Sequence, residues 1–179
     1  MQRVVVTGLG PVSSIGIGVS AFCESLRAGR SGLSPIRSFD SAGFPYVYAG
    51  EVRDFAPERI LRRIDPIAWG RTGQFAAAAA RLAASDGALD LDRVDTARIA
   101  VVMGTTCGES QVVEALAAEA LRADLQGQSS ELLDKLPAAR ISYAASEEIG
   151  AAGESLTIST ACSASNYTLG YAFDLLRAS

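Results

Sequence analysis

The sequence contains no histidine at all, and its three cysteines, Cys23, Cys107 and Cys162, stand far apart with no C-x-x-C pair among them. Zinc sites draw on Cys and His at close spacing, so a zinc site built from this chain alone is not expected. The odd cysteine count and the lack of a disulfide-like framework point to reduced thiols and a cytoplasmic setting. Charge is sparse, at 20% of residues, and the net charge of −4 lacks the basic stripe that a nucleic-acid footprint needs. No apolar run approaches the length of a membrane span. The opening Met1-Gln2-Arg3-Val4-Val5-Val6-Thr7 has too short an apolar run for a signal peptide and goes straight into a glycine turn. What the chain does have is apolar material, 49% of 179 residues with much alanine and glycine. That suffices for one domain with a substantial core.

Short apolar runs alternate with stretches of helical periodicity. Val4–Val6, closed by Gly8-Leu9-Gly10-Pro11, reads as a buried strand entering a loop. Val19–Leu26 carries apolar residues at helical spacing and ends at Gly29; Cys23 lies in this helix, where core packing is its expected role. Residues 30–60, rich in Gly, Pro and Ser, read as loops with a short extended piece near Tyr46–Val52. Asp65-Pro66 supplies an N-cap followed by proline, opening a helix through Trp69, Phe75 and Ala76–Ala80 to about Ala84. Arg98–Met103 is expected as a second buried strand, followed by a helix from Gln111 to Leu125 with Val112, Val113, Leu116 and Leu121 on one face. After a polar break at 124–130, Pro137 opens a helix through Ile141, Tyr143 and Ile149, stopped by Gly150. Leu156–Thr160 is the third strand, and the last helix runs from Cys162 or Ser163 to the chain end. The order β-α-β-α-β-α implies an α/β fold with a mostly parallel sheet covered by helices on both faces. In such sheets the loops at the carboxyl ends of the strands collect functional groups, and two of those loops hold Cys107 and Cys162.

Cys162 stands where a β-branched run, Leu156-Thr157-Ile158-Ser159-Thr160, stops and a helical run begins. A thiol on such a turn sits near the unpaired N–H groups and positive end of a helix, which favour the thiolate. A thiolate of that kind attacks an activated carbonyl, most naturally a thioester. The pattern alone leaves a second reading, in which Cys162 is a small buried core residue.

Four stretches in order resemble the N-terminal half of the β-ketoacyl-[acyl carrier protein] synthases, the condensing enzymes of fatty-acid and polyketide synthesis, which share the thiolase fold. They are Val4–Gly10 with Ser13-Ser14-Ile15-Gly16; Arg63-Ile64-Asp65 before the alanine-rich helix; Gly104-Thr105-Thr106-Cys107-Gly108-Glu109; and Thr160-Ala161-Cys162-Ser163-Ala164-Ser165. The resemblance covers nearly the whole chain. It implies a thiolase-like layered α/β fold, with residues 1–179 as the N-terminal half-domain, truncated before its last strands, and the C-terminal half absent.

By the same resemblance, Cys162 matches the nucleophile that takes an acyl group from a carrier-protein phosphopantetheine thioester, with its own backbone N–H in the oxyanion hole. Cys107 matches a substrate-binding position lining the acyl pocket, where a compact residue leaves room for longer chains; a plain core role is the alternative. Thr160 and Ser163 are expected to support the turn, and Asp65 and Arg63 to serve as cap and surface charge. The resemblance implies no cofactor beyond the phosphopantetheine that carries the substrates. The implied partners are acyl carrier protein and a second ketosynthase-type subunit, as a homodimer through Leu156–Thr160 or as a heterodimer.

Two histidines that stabilise the enolate formed from malonyl-thioester belong to the half that is absent, so this chain by itself is expected to be inactive in condensation. Glu154 stands where the family usually has proline, and Ser165-Asn166 where glycine is more frequent; the second leaves the acyl class open between fatty-acyl, polyketide and polyene chains. The leading expectation is an acyltransferase, a ketosynthase joining a Cys162-bound acyl group to malonyl on acyl carrier protein. A ketosynthase-like transacylase, or a non-catalytic chain-length or scaffold partner, is the alternative; such partners replace the cysteine that this chain keeps.

Overall fold

The computed structural model describes residues 3–122 and 129–178. In chain order the elements are β1 (Val12–Ser13), β2 (Gly16–Ile17), α1 (Val19–Arg27), β3 (Ser34–Pro35), β4 (Tyr48–Ala49), α2 (Pro57–Ile60) and α3 (Arg71–Asp86). They continue with β5 (Val101–Thr105), α4 (Ser110–Arg122), α5 (Ser130–Lys135), α6 (Ala139–Ile149), β6 (Ser155–Ser159) and α7 (Ala164–Ala178).

The organising pair is β5 and β6, which run parallel in the register Val101↔Ser155 to Thr105↔Ser159. Parallel neighbours need a crossover, and α4, α5 and α6 supply it. Side chains alternate across the pair. On one face Val101 and Met103 pack with Ile141, Ala145 and Ile149 of α6, and Thr157 Oγ1 accepts from Ser142 N–H at 3.2 Å. On the other, Gly104 lies against Ala164 at the start of α7. The parallel pair is thus covered on both faces, as the strand–helix alternation implies, and α3 packs on α6 as a further layer. That last contact is built from small residues: Ala77, Ala78, Ala144 and Ala145 are all fully buried.

Several expectations need correction. Val4–Val6 is not a strand; Val5 and Val6 are 62% and 78% exposed, with no strand beside them among the described residues to complete a ladder. The glycines that follow lay the chain on α3 instead: a Cβ at Gly8 would meet Ala83 O at 2.2 Å, and one at Gly10 would meet Ala79 O at 2.0 Å. Asp65 does cap, accepting from Ile67 N–H at 3.1 Å, but only a single 3₁₀ turn, Pro66–Ala68, follows it. Trp69 and Gly70 are extended, and α3 begins afresh at Arg71. The break arises because Gly70 must pass the buried carboxylate of Glu109, whose Cδ lies 2.4 Å from where a Cβ would stand. On α4, Val112 and Leu116 are buried, whereas Val113 is 50% and Leu121 89% exposed; Leu125 and most of the expected polar break lie outside the described residues. Helix α5, capped by Ser129 Oγ, was not expected from the sequence. Helix α6 ends as expected at Gly150, whose φ of 70° suits a residue without Cβ.

One buried carboxylate ties these layers together. Glu148 on α6 is fully buried and accepts from the N–H groups of Arg62, Arg63 and Ile64 at 2.9, 3.0 and 3.3 Å and from Arg81 Nε of α3 at 2.7 Å. Burial pushes its pKa up, but the Arg63 amide, the Arg81 guanidinium and the other two amides outweigh that and leave it lowered. A lowered carboxylate stabilises the fold above its ordinary value of 4.5 and loses that contribution as pH falls toward the folded-state value. Glu148→Ala, which leaves Arg81 Nε and three amides without their carboxylate partner, should therefore cost about 3–5 kcal/mol in urea unfolding at pH 7. The difference from the parent should shrink below pH 4.5; a constant difference across that range would show that the carboxylate charge is not what holds the layers.

Candidate active site

Parallel strands in register end at the same level, so the loops after β5 and β6 must lie side by side. The ladder continues one residue past the strands, with Thr160 N–H donating to Thr105 O at 3.2 Å. Beyond it, Thr106 Oγ1 donates to Ala161 O at 3.2 Å. Cys107 follows Thr106 and Cys162 follows Ala161, so the two thiols that sequence reasoning singled out stand on adjoining, cross-linked loops. Both are free and exposed, whereas Cys23 on α1 is half-buried.

Cys162 stands in the turn between β6 and the 15-residue helix α7. Ser163 O accepts Tyr167 N–H at 3.1 Å, which makes Ser163 the capping position and places Cys162 one residue before it. The thiol is thus at the amino end of α7, where the unpaired amides and the helix dipole are concentrated. Gly104 sets that position. A Cβ on Gly104 would stand 2.8 Å from Ala164 C and 3.0 Å from Ala164 O, so only glycine lets the first turn of α7 rest on β5. Thr160 supports the turn through its backbone; its hydroxyl is buried without a hydrogen-bond partner among the described residues.

The Cys107 loop is braced from the other side. Thr105 Oγ1 accepts Gly108 N–H at 2.9 Å, and Gly108, with φ 63°, turns the chain. Thr72 Oγ1 donates to Gly108 O at 3.0 Å. Next to it, the buried carboxylate of Glu109 accepts Thr72 N–H at 3.0 Å and Gly73 N–H at 2.7 Å, capping α3 from outside its own segment. Sequence reasoning quoted Thr106 and Glu109 within a motif without giving either a role. Their partners, Ala161 and Thr72, are 55 and 37 residues away, so no local pattern points to them.

The remaining expected positions are peripheral. Arg63 is exposed, with Asp92 at 4.0 Å, and acts as surface charge. Glu154 accepts a hydrogen bond from Tyr171 of α7, which raises the Tyr171 pKa and pins the helix to the entry of β6. Asn166 lines a shallow cleft of about 430 Å³ with Ile158, Tyr167, Gly170, Tyr171 and Asp174, and Ser165 O accepts from Thr168 Oγ1 at 2.9 Å. Another cleft, of about 690 Å³, lies between Arg37, Glu51, Arg53, Arg71 and Gln111 and does not include Cys162. Among the described residues no group of His, Cys, Asp and Glu is placed to hold a metal ion, and no helix is long and apolar enough to cross a membrane.

Comparison with known proteins agrees with this architecture. Residues 1–179 match the family described as beta-ketoacyl synthase, N-terminal domain. The chain is 31% identical over 176 residues to a 3-oxoacyl-[acyl-carrier-protein] synthase 2 of Synechocystis, covering 98% of this chain and 42% of that protein. It therefore spans less than half the length of this relative. Among solved structures, the ishigamide ketosynthase/chain length factor superposes with a TM-score of 0.92 at 40% identity, over 97% of this chain and 44% of that one. A type II polyketide acyl carrier protein complex with its ketosynthase superposes with a TM-score of 0.75 at 25% identity, over 95% of this chain and 41% of that one.

Gly104→Ala tests how the thiol is placed. The added methyl must push the first turn of α7 off β5, which should lower the unfolding free energy by about 1–3 kcal/mol. A variant as stable as the parent would show that α7 is free to shift and that Gly104 does not set the position of Cys162.

Proposed function

The chain belongs to the β-ketoacyl synthase family, matching its N-terminal domain, and we propose on that premise that Cys162 is the nucleophile of a ketosynthase. The exposed thiol at the amino end of α7, at the carboxyl end of the parallel pair, carries this reading. In the proposed reaction the Cys162 thiolate attacks the thioester carbonyl of an acyl group borne on the phosphopantetheine of an acyl carrier protein. The Cys162 N–H receives the charge that develops on the carbonyl oxygen. Collapse of the tetrahedral intermediate expels the pantetheine thiol and leaves the acyl group on Cys162. A malonyl group on a second carrier protein then loses carbon dioxide, and the resulting enolate attacks the Cys162 thioester, forming the new carbon–carbon bond and freeing the cysteine. The chemistry needs no cofactor apart from the carrier's phosphopantetheine.

The groups that would stabilise the enolate do not come from this chain, which has no histidine. We assign them to the part of the relatives' length that residues 1–179 do not span. The apolar residues left exposed on α7, among them Tyr167 at 60%, Leu169 at 66% and Phe173 at 43%, support a fold completed by further polypeptide. Among the described residues β6 pairs only with β5, and its free edge supports a ketosynthase-type dimer. The ketosynthase/chain length factor neighbour supports a heterodimer in particular. It also keeps a chain-length partner in view as a second reading, against which the intact Cys162 weighs. The carrier-protein complex supports acyl carrier protein as the donor. The three free thiols suit a reducing cytoplasm. Cys107, exposed beside the nucleophile, is proposed to line the acyl pocket.

Incubating the intact protein with acyl carrier protein bearing a radiolabelled acyl group should label Cys162, and Cys162→Ala should abolish the label while leaving thermal unfolding unchanged. Label retained by the alanine variant would refute the assignment. Cys107→Phe should shift the preferred acyl group to shorter chains in competition assays; an unaltered profile would remove Cys107 from the pocket wall.

A further inference from the structure

Resting on the nucleophile reading of Cys162, we infer that Thr106 is a positioning residue for the oxyanion hole. The hydrogen bond that Thr106 Oγ1 donates to Ala161 O, at 3.2 Å, acts on the peptide unit joining Ala161 to Cys162. That unit is planar and trans, so its carbonyl and its N–H point in opposite directions. Holding the Ala161 oxygen toward the Cys107 loop therefore turns the Cys162 N–H away from that loop. An amide that could otherwise rock about its flanking torsions is given a set direction.

The donor is itself well supported. Thr106 follows Thr105, which is buried, hydrogen-bonded to Gly108 N–H through its hydroxyl and to Thr160 N–H through its carbonyl. Gly108 is tied in turn to Thr72 on α3, and Glu109 to the first turn of that helix. Thr106 thus projects from a braced loop, and the Cys162 turn between β6 and α7 is the part it aligns. No other side-chain hydrogen bond reaches the Ala161 carbonyl among the described residues.

In the acylation step the bond from Cys162 Sγ to the carbonyl carbon forms while the carbonyl π pair moves onto oxygen, where the Cys162 N–H meets it. On collapse that pair returns, the carbon–sulfur bond to the leaving thiol breaks, and the departing thiolate takes up a proton equal to the one Cys162 lost. This step builds an oxyanion. Alkylation of the same thiol by iodoacetamide is displacement at a saturated carbon and builds none, so the two reactions separate thiolate reactivity from oxyanion stabilisation.

The test compares Thr106→Val, which keeps the shape and removes the hydroxyl, with Thr106→Ser, which keeps the hydroxyl. Each intact variant is reacted with octanoyl-pantetheine and, separately, with iodoacetamide, and modification of Cys162 is followed by mass spectrometry. T106V should be acylated about tenfold more slowly, a fraction of the hundredfold or more lost when an oxyanion donor is removed outright. Its alkylation rate should stay within about twofold of the parent under the same reasoning, and T106S should be acylated nearly as fast as the parent. Acylation of T106V at the parent rate would overturn the inference, as would an equal slowing of both reactions or failure of T106S to restore the rate. If the parent itself takes no octanoyl group on Cys162, the nucleophile reading falls and this inference with it.

Discussion

The structure turns on two parallel strands that finish level with each other. Because β5 and β6 pair in register from Val101↔Ser155 to Thr105↔Ser159, the chain must leave both at one end of the sheet. The two loops then have nowhere to go but alongside each other. The bonds from Thr160 N–H to Thr105 O and from Thr106 Oγ1 to Ala161 O are the direct result. A thiol on each loop is exposed at that place. Antiparallel strands would have sent the same two loops to opposite ends, and the cysteines would share no surface.

Holding the strands level requires rigid layers behind them, and here backbone proximity and buried charge act together. Alanines on α3 and α6 let the helices approach without side-chain bulk. Glu148 then joins α6, α3 and the 62–64 segment through four hydrogen bonds to one buried carboxylate. Glu109 does the same on a smaller scale, joining the loop after β5 to the first turn of α3. Each carboxylate is held by donors that would themselves be unsatisfied without it, so neither side of the contact is free to leave. The position of the Cys107 loop is inherited from α3 by this route.

The outer face is organised differently. Helix α7 meets β5 through the Gly104–Ala164 contact and is pinned at its middle by the Tyr171–Glu154 hydrogen bond. Its other faces keep apolar side chains in the open, as do Val5 and Val6 near the amino end. Exposed apolar side chains grouped on one helix mark a surface suited to being covered. Cys162, at the amino end of α7, therefore sits at the boundary between a covered layer and an exposed apolar one.

Periodicity and punctuation in the sequence determined the local elements: α1 over Val19–Arg27, α6 ending at Gly150, the strands before Cys107 and Cys162, and the cysteine-bearing turn itself. Those features rest on neighbours a few residues apart, so they are legible in one dimension. Val4–Val6 shows the limit, since three valines specify a strand only if another strand lies beside them, and none does among the described residues. The break at Trp69-Gly70 shows it again, because its cause is Glu109, almost 40 residues further along. The joining of the two cysteine loops, the buried ties of Glu148 and Glu109, and the grip of Thr106 on the Ala161 carbonyl were decided only by the tertiary structure. Each depends on atoms far apart in the chain becoming hydrogen-bonded neighbours, and a sequence pattern records which groups are available without recording which of them meet.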